Sequence, residues 1–128
     1  MHCIGHSLGG ALATLTADWV ATSSYSNNVK LYTFGAPRVG LSGFASANTN
    51  RINDIYRCTH GADVVPKVPL WPFFHSPYKG LEFRLDGGQG ICASAHGMDP
   101  DQGAVPGYLA TAKGCLLYTS DAADDLGR

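Results

Sequence analysis

Gly5-His6-Ser7-Leu8-Gly9-Gly10 matches the G-x-S-x-G pattern of a nucleophile elbow, and every other segment of the 128-residue chain takes its place from it. In that motif a strand turns sharply into a helix and lifts one serine hydroxyl above the end of a sheet. The turn brings helix and strand so close that side chains two residues either side of Ser7 would collide. Gly5 and Gly9 are therefore expected to be there for want of a Cβ, with Gly10 adding further room. The flanks agree with a strand, a turn and a helix. The short apolar run Met1-His2-Cys3-Ile4 precedes the motif, and Leu8, Ala11, Leu12, Leu15 and Trp19 follow it at helical spacing. A Gly-rich turn that merely joins two elements is the bland alternative; the flanking pattern favours Ser7 as a nucleophile.

Working outward, the helix runs from Leu8 to about Ser24 and ends in the polar stretch Ser23 to Asn28. Val29 to Phe34 reads as a second strand, closed by Gly35-Ala36-Pro37, because proline cannot continue a ladder. Leu41, Phe44 and Ala45 suggest a short helix that ends in the Asn-rich stretch Asn48 to Asn53. Ile55 to Thr59 is a third strand, Gly80 to Leu85 a fourth, and a weak helix lies near Tyr108 to Ala112. Alternating strands and helices at this spacing imply an α/β fold with a mostly parallel sheet and right-handed crossovers. The elbow strand belongs near the middle of such a sheet, yet only about four residues precede the turn. Its neighbours on one side are expected from sequence N-terminal to Met1, so that the domain is truncated at its N-terminus.

Composition narrows the function classes. A formal net charge of −1 with 15% charged residues offers no basic face for nucleic acid. No apolar run approaches the ~20 residues of a membrane span, and no signal peptide precedes the elbow. Cys3, Cys58, Cys92 and Cys115 have neither metal-ligand nor disulfide-framework spacing, which leaves the redox compartment open. Internal repeats are absent.

A serine nucleophile at neutral pH needs a base within hydrogen-bond reach, and the base needs an acid to hold its tautomer. The chain order expected in this fold is Ser, Asp, His. Asp63 lies just past the third strand, at the same rim of the sheet as Ser7, because parallel strands all end on one side. Asp54, before that strand, sits at the wrong end. Two histidines follow Asp63: His75, in a Pro-bound loop before the fourth strand, and His96, after it. His96 is preferred, since the base normally follows the last strand; His75, or a base outside this chain, stays open. The backbone N–H of Leu8 is expected to supply one oxyanion-hole donor, and the second belongs to a loop upstream of the elbow. His6 is expected to pack or hydrogen-bond locally under the turn, His2 and His60 to be structural, and Cys58 to be a core residue. His2, Cys3 and His6 would point to different faces, so no metal site is expected, and the chemistry requires no cofactor.

With these residues in place the chain resembles the fungal-type, or class 3, lipases, which have an α/β-hydrolase-like fold. Gly5 to Ala13 looks like that family's elbow and helix, and Tyr32 to Gly40 like a structural block. Asp63-Val64-Val65-Pro66-Lys67-Val68-Pro69 is similar to the block that holds the catalytic aspartate. His75-Ser76-Pro77-Tyr78 with Glu82 resembles a block whose histidine is not the catalytic one. The likeness runs from the first residue to about Arg84 and then weakens. In the family an aromatic follows the catalytic histidine within a few residues, whereas after His96 the nearest is Tyr108; an insertion from Asp99 to Pro106, or a different base, accounts for the spacing.

The resemblance implies a carboxylic ester hydrolase, a triacylglycerol lipase in the first instance, with Ser7, Asp63 and His96 as triad and Leu8 in the oxyanion hole. A feruloyl esterase or phospholipase of the same family, or a non-catalytic fragment, is the alternative. Lipid or other ester substrates, a lipid–water interface and secretion are what the family implies; oligomeric state is left open. Residues 1–114 are taken as the partial domain. Residues 115–128 look like translated sequencing-adapter sequence and are set aside as a non-native tail. Without that tail's three Asp and one Arg the formal net charge would be +1.

Overall fold

The structure is a computed structural model. It describes residues 1–23, 28–61, 63–70, 74–75, 81–85, 96 and 107–109. Four parallel strands, β1 (His2–His6), β2 (Lys30–Phe34), β3 (Asp54–His60) and β4 (Leu81–Leu85), form a sheet in the order β1-β2-β3-β4. Helix α1 (Leu8–Thr22) joins β1 to β2 and packs on both, and α2 (Ser42–Arg51) joins β2 to β3 and touches α1. A turn of 3₁₀-helix (Val65–Lys67) follows β3. From β1 to β2 and from β2 to β3 a helical crossover returns the chain one strand over, parallel to the last.

The core lies between α1 and one face of the sheet. Cys3, Leu31 and Ile55 stand in register on adjacent strands and meet Ala13, Ala17 and Val20 of α1, with Val29 and Ile52 closing the end. Burying a valine, leucine or isoleucine side chain is worth about 1.5–3 kcal/mol, and here the contributions fall on three strands and a helix at once. The start of β2 is tied to that of β3 by a reciprocal pair: the Val29 N–H donates to Asn53 Oδ1 at 3.1 Å and the Asn53 N–H to the Val29 carbonyl at 3.2 Å. An exposed contact, in which Arg51 Nη1 donates to both Asp18 carboxylate oxygens at 3.1 and 3.3 Å, joins α2 to α1.

The face that α1 turns to the sheet differs from the one its large residues suggest. Gly10, Ala11, Ala13, Thr14, Ala17 and Val20 are buried, whereas Leu8, Leu12, Leu15 and Trp19 are exposed. Small residues let the helix axis approach the strands, so the large apolar stripe faces away. Helix α1 ends where Ser23 donates its backbone N–H to the carbonyls of Trp19 and Val20 and its hydroxyl to that of Val20. Helix α2 runs through the Asn-rich stretch taken as its end: Asn48 is buried and Thr49 Oγ1 donates to the Ala45 carbonyl at 2.8 Å.

At the elbow the glycines are used in a different order from the one expected. A Cβ on Gly5 would overlap the Gly9 carbonyl and stand 2.6 Å from the Gly10 nitrogen; one on Gly10 would stand 2.6 Å from the Ala36 Cβ. A Cβ on Gly9 would meet nothing within 4 Å. Gly5 and Gly10 therefore permit the close approach, and Gly9 lies on the open side of the helix. Gly5→Ala is expected to lower stability by about 3 kcal/mol or more, whereas Gly9→Ala leaves it unchanged or raises it by up to about 1 kcal/mol. Urea titrations of the two variants beside the parent check this contrast.

Candidate active site

Ser7 occupies the N-cap of α1 with φ 55°, a left-handed backbone conformation that a non-glycine residue adopts at a cost of about 1–3 kcal/mol. Its N–H donates to the Phe34 carbonyl at 2.9 Å, which pins the elbow to the end of β2. A serine at an N-cap ordinarily turns its hydroxyl back onto the helix; here it makes no such bond. Instead Oγ lies 2.7 Å from Nε2 of His96, 89 residues later in the chain. The other ring nitrogen, Nδ1, lies 2.8 Å from Oδ2 of Asp63. A carboxylate only accepts, so Nδ1 carries the proton and Nε2 is left as the acceptor for the Ser7 hydroxyl.

Asp63 is fully buried as a side chain, against 21% exposure for that of His96. Three donors converge on its carboxylate: the Val65 N–H on Oδ1 at 2.9 Å, and His96 Nδ1 and the Tyr108 hydroxyl, at 2.7 Å, on Oδ2. A buried carboxylate without such partners would be strongly destabilising. Burial first, and then the Asp63 carboxylate, hold the Tyr108 phenol far above its usual range, so it stays a donor. Gly35, at φ 56°, lies under the group: a Cβ there would stand 2.9 Å from Asp63 Oδ2 and 3.1 Å from His96 Cε1. Leu8 opens α1, so its N–H has no acceptor within the helix and sits at the positive end of the helix dipole, beside Ser7.

Residues 1–73 match the family described as Lipase (class 3). The chain belongs to the class 3 lipase family. It is 43% identical over 84 residues to the secreted mono- and diacylglycerol lipase 1 of Fusarium solani, covering 66% of this chain and 24% of that protein. With the secreted mono- and diacylglycerol lipase A of Penicillium camembertii it shares 45% over 67 residues, covering 52% and 21%. The lipase of Rhizopus microsporus var. chinensis superposes with a TM-score of 0.60 at 31% identity, over 66% of this chain and 30% of that one. The chain thus spans at most about a quarter of the length of these curated relatives.

In this class 3 lipase chain the structure brings Ser7, Asp63 and His96 together and leaves the rival residues elsewhere. His75 forms an antiparallel bridge with Gly40, donating its N–H to that carbonyl at 2.7 Å. Asp54 begins β3 at the far end of the sheet and pairs with Lys30 at 2.9 Å. Cys58 lies within β3, only partly buried, and desolvation raises its thiol pKa. His60 is buried beside the Tyr108 ring, centroids 5.2 Å apart. His6 departs from expectation: its partner is distant, Nε2 lying 2.8 Å from the His96 carbonyl oxygen. Among the described residues no three His, Cys, Asp or Glu side chains converge as a metal centre. Cys92 and the tail at 115–128 lie outside the described residues.

Sequence reasoning missed Tyr108 and Gly35 as neighbours of Asp63. Gly35 carried a faint signal, a glycine directly after a strand at the rim shared with Ser7. Tyr108 carried none beyond being the first aromatic after His96. Tyr108→Phe is expected to lower stability by about 1.5–3 kcal/mol, the value of a hydrogen bond to a charged group. Because the phenol pKa is raised above its ordinary 10.0 in the folded state, the unfolded chain loses this proton first as pH rises. Parental stability should therefore fall above about pH 10, and fall less steeply in Tyr108→Phe. Urea titrations between pH 7 and 11 measure both effects.

Proposed function

We propose that this chain is the nucleophile-bearing portion of a carboxylic ester hydrolase acting on acylglycerols, with Ser7 as nucleophile, His96 as general base and Asp63 as the acid that orients it. The Asp63–His96–Ser7 series of hydrogen bonds, assembled from residues 89 positions apart, is the observation that carries this assignment. Ser7 Oγ attacks the acyl carbon as its proton passes to His96 Nε2, and the carbonyl oxygen becomes an oxyanion facing the Leu8 N–H. Collapse of the tetrahedral species breaks the ester C–O bond, and the leaving alkoxide takes the proton from Nε2. Water then attacks the acyl-Ser7 ester, giving its proton to His96, and the fatty acid leaves as Ser7 recovers its hydrogen. Asp63 holds Nδ1–H throughout and stabilises the imidazolium that forms twice in the cycle.

Lipid esters fit the surroundings. The residues that follow Ser7, Asp63 and Tyr108 are Leu8, Val64 and Leu109, and all three expose their side chains. The names of the Fusarium and Penicillium relatives point to mono- and diacylglycerols and to secretion, and a substrate held at a lipid–water interface suits exposed apolar residues of this kind. A fluorophosphonate probe tests the nucleophile directly: the parent should label at Ser7, Ser7→Ala should not label, and Asp63→Asn should label about 10⁴-fold more slowly. His96→Ala should lose at least as much. Hydrolysis of a monoacylglycerol should exceed that of methyl ferulate; the reverse preference would make the chain a feruloyl esterase. An unlabelled parent would favour a non-catalytic fragment.

A further inference from the structure

We propose that His6 is a positioning residue for the general base, its Nε2–H holding the backbone carbonyl of His96 while its ring lies against the His96 imidazole. The inference rests on the triad assigned above and adds a residue to it. Nε2 of His6 lies 2.8 Å from the His96 carbonyl oxygen. A carbonyl only accepts, so Nε2 is the protonated nitrogen of His6. The two rings are stacked, centroids 4.8 Å apart and planes inclined by 28°, and Tyr108 meets His6 edge-on at 5.8 Å.

The position of His6 makes this contact more than packing. His6 is the last residue of β1, in register with Phe34 of β2, and the next N–H, that of Ser7, is bonded to the Phe34 carbonyl at 2.9 Å. The nucleophile and the anchor for the base are thus neighbours on one short piece of sheet-bound backbone. His96 belongs to a segment 33 residues beyond Asp63. Its ring is held by Asp63 and Ser7, but the Ser7 contact is made and broken as the proton moves. The His6 bond grips the backbone of His96 and is untouched by the proton transfer, so it keeps Nε2 over Oγ at every stage. An error of about 1 Å in such a placement costs about 10²-fold in rate.

Two variants separate the hydrogen bond from the ring. His6→Phe keeps the stacked ring and loses the donor; His6→Gln loses the ring and keeps an N–H at a similar reach. Saturation kinetics of Ser7 labelling by the fluorophosphonate read placement through the maximal rate and probe binding through KI. His6→Phe is expected to lower the maximal rate about 10–100-fold with KI within about twofold of the parent, and His6→Gln to recover to within about threefold of the parental rate. Parental labelling by His6→Phe, or a His6→Gln variant no faster than His6→Phe, would overturn the proposal. A second readout does not depend on reactivity. Long-range ¹⁵N–¹H spectra of the parent should show His6 as the Nε2–H tautomer, and an Nδ1–H tautomer would overturn the proposal. An unlabelled parent with His6 in the Nε2–H form would refute the triad assignment while the His6–His96 contact stood.

Discussion

The backbone approach at Gly5 is the constraint on which the rest of this structure depends. Where the end of β1 meets the first turn of α1, no room remains for a Cβ against the Gly9 carbonyl. Ser7 is forced to φ 55° to make the reversal, and a strained residue persists only where its surroundings over-determine it. They do so here. The Ser7 N–H is bonded to β2, Gly10 abuts Ala36, and the buried face of α1 is built from residues small enough to keep the axis near the sheet. The same geometry leaves the Ser7 hydroxyl off its own helix and puts the helix N-terminus beside it.

A second constraint is electrostatic. Asp63 is a buried carboxylate, and its burial is tolerable because the Val65 N–H, the His96 imidazole and the Tyr108 hydroxyl together satisfy both oxygens. Those donors come from the 3₁₀ turn and from two residues far downstream, so folding the carboxylate inward gathers the distant parts of the chain. Gly35 completes the arrangement by offering no side chain where the carboxylate and imidazole must pass. The contacts that make the buried carboxylate tolerable are therefore also the ones that set the site geometry. A change that frees the Asp63 carboxylate from its donors loosens the His96 ring as well.

Much of this was legible in the chain. Among the described residues, β1 to β4, α1 and α2 fall within a few residues of where alternation, helical spacing and breakers placed them, because those signals report local backbone preference. The class 3 lipase family followed from the elbow and the Asp63 block. The order Ser, Asp, His favoured His96, because the base normally follows the last strand, and left His75 or a base outside this chain as the alternatives. What the spacing left open, and what the motif misplaced, was set by packing. Leu8, Leu12, Leu15 and Trp19 have helical spacing, yet spacing cannot say which face a sheet will take when a row of small residues offers a closer approach. Gly9 and Gly10 look alike in a motif, and only the side from which Ala36 arrives tells them apart.

The sequence by itself determined the elements, their parallel order, the family and the residue types able to do the chemistry, because each is written in local pattern or in chain order. The tertiary structure alone decided which histidine meets Ser7, that Tyr108 and the Val65 N–H share the Asp63 carboxylate, and that His6 bonds a carbonyl 90 residues away. The physical reason is that a hydrogen bond across such a span depends on where two separately routed backbones come to rest. No periodicity, propensity or spacing along the chain encodes that meeting.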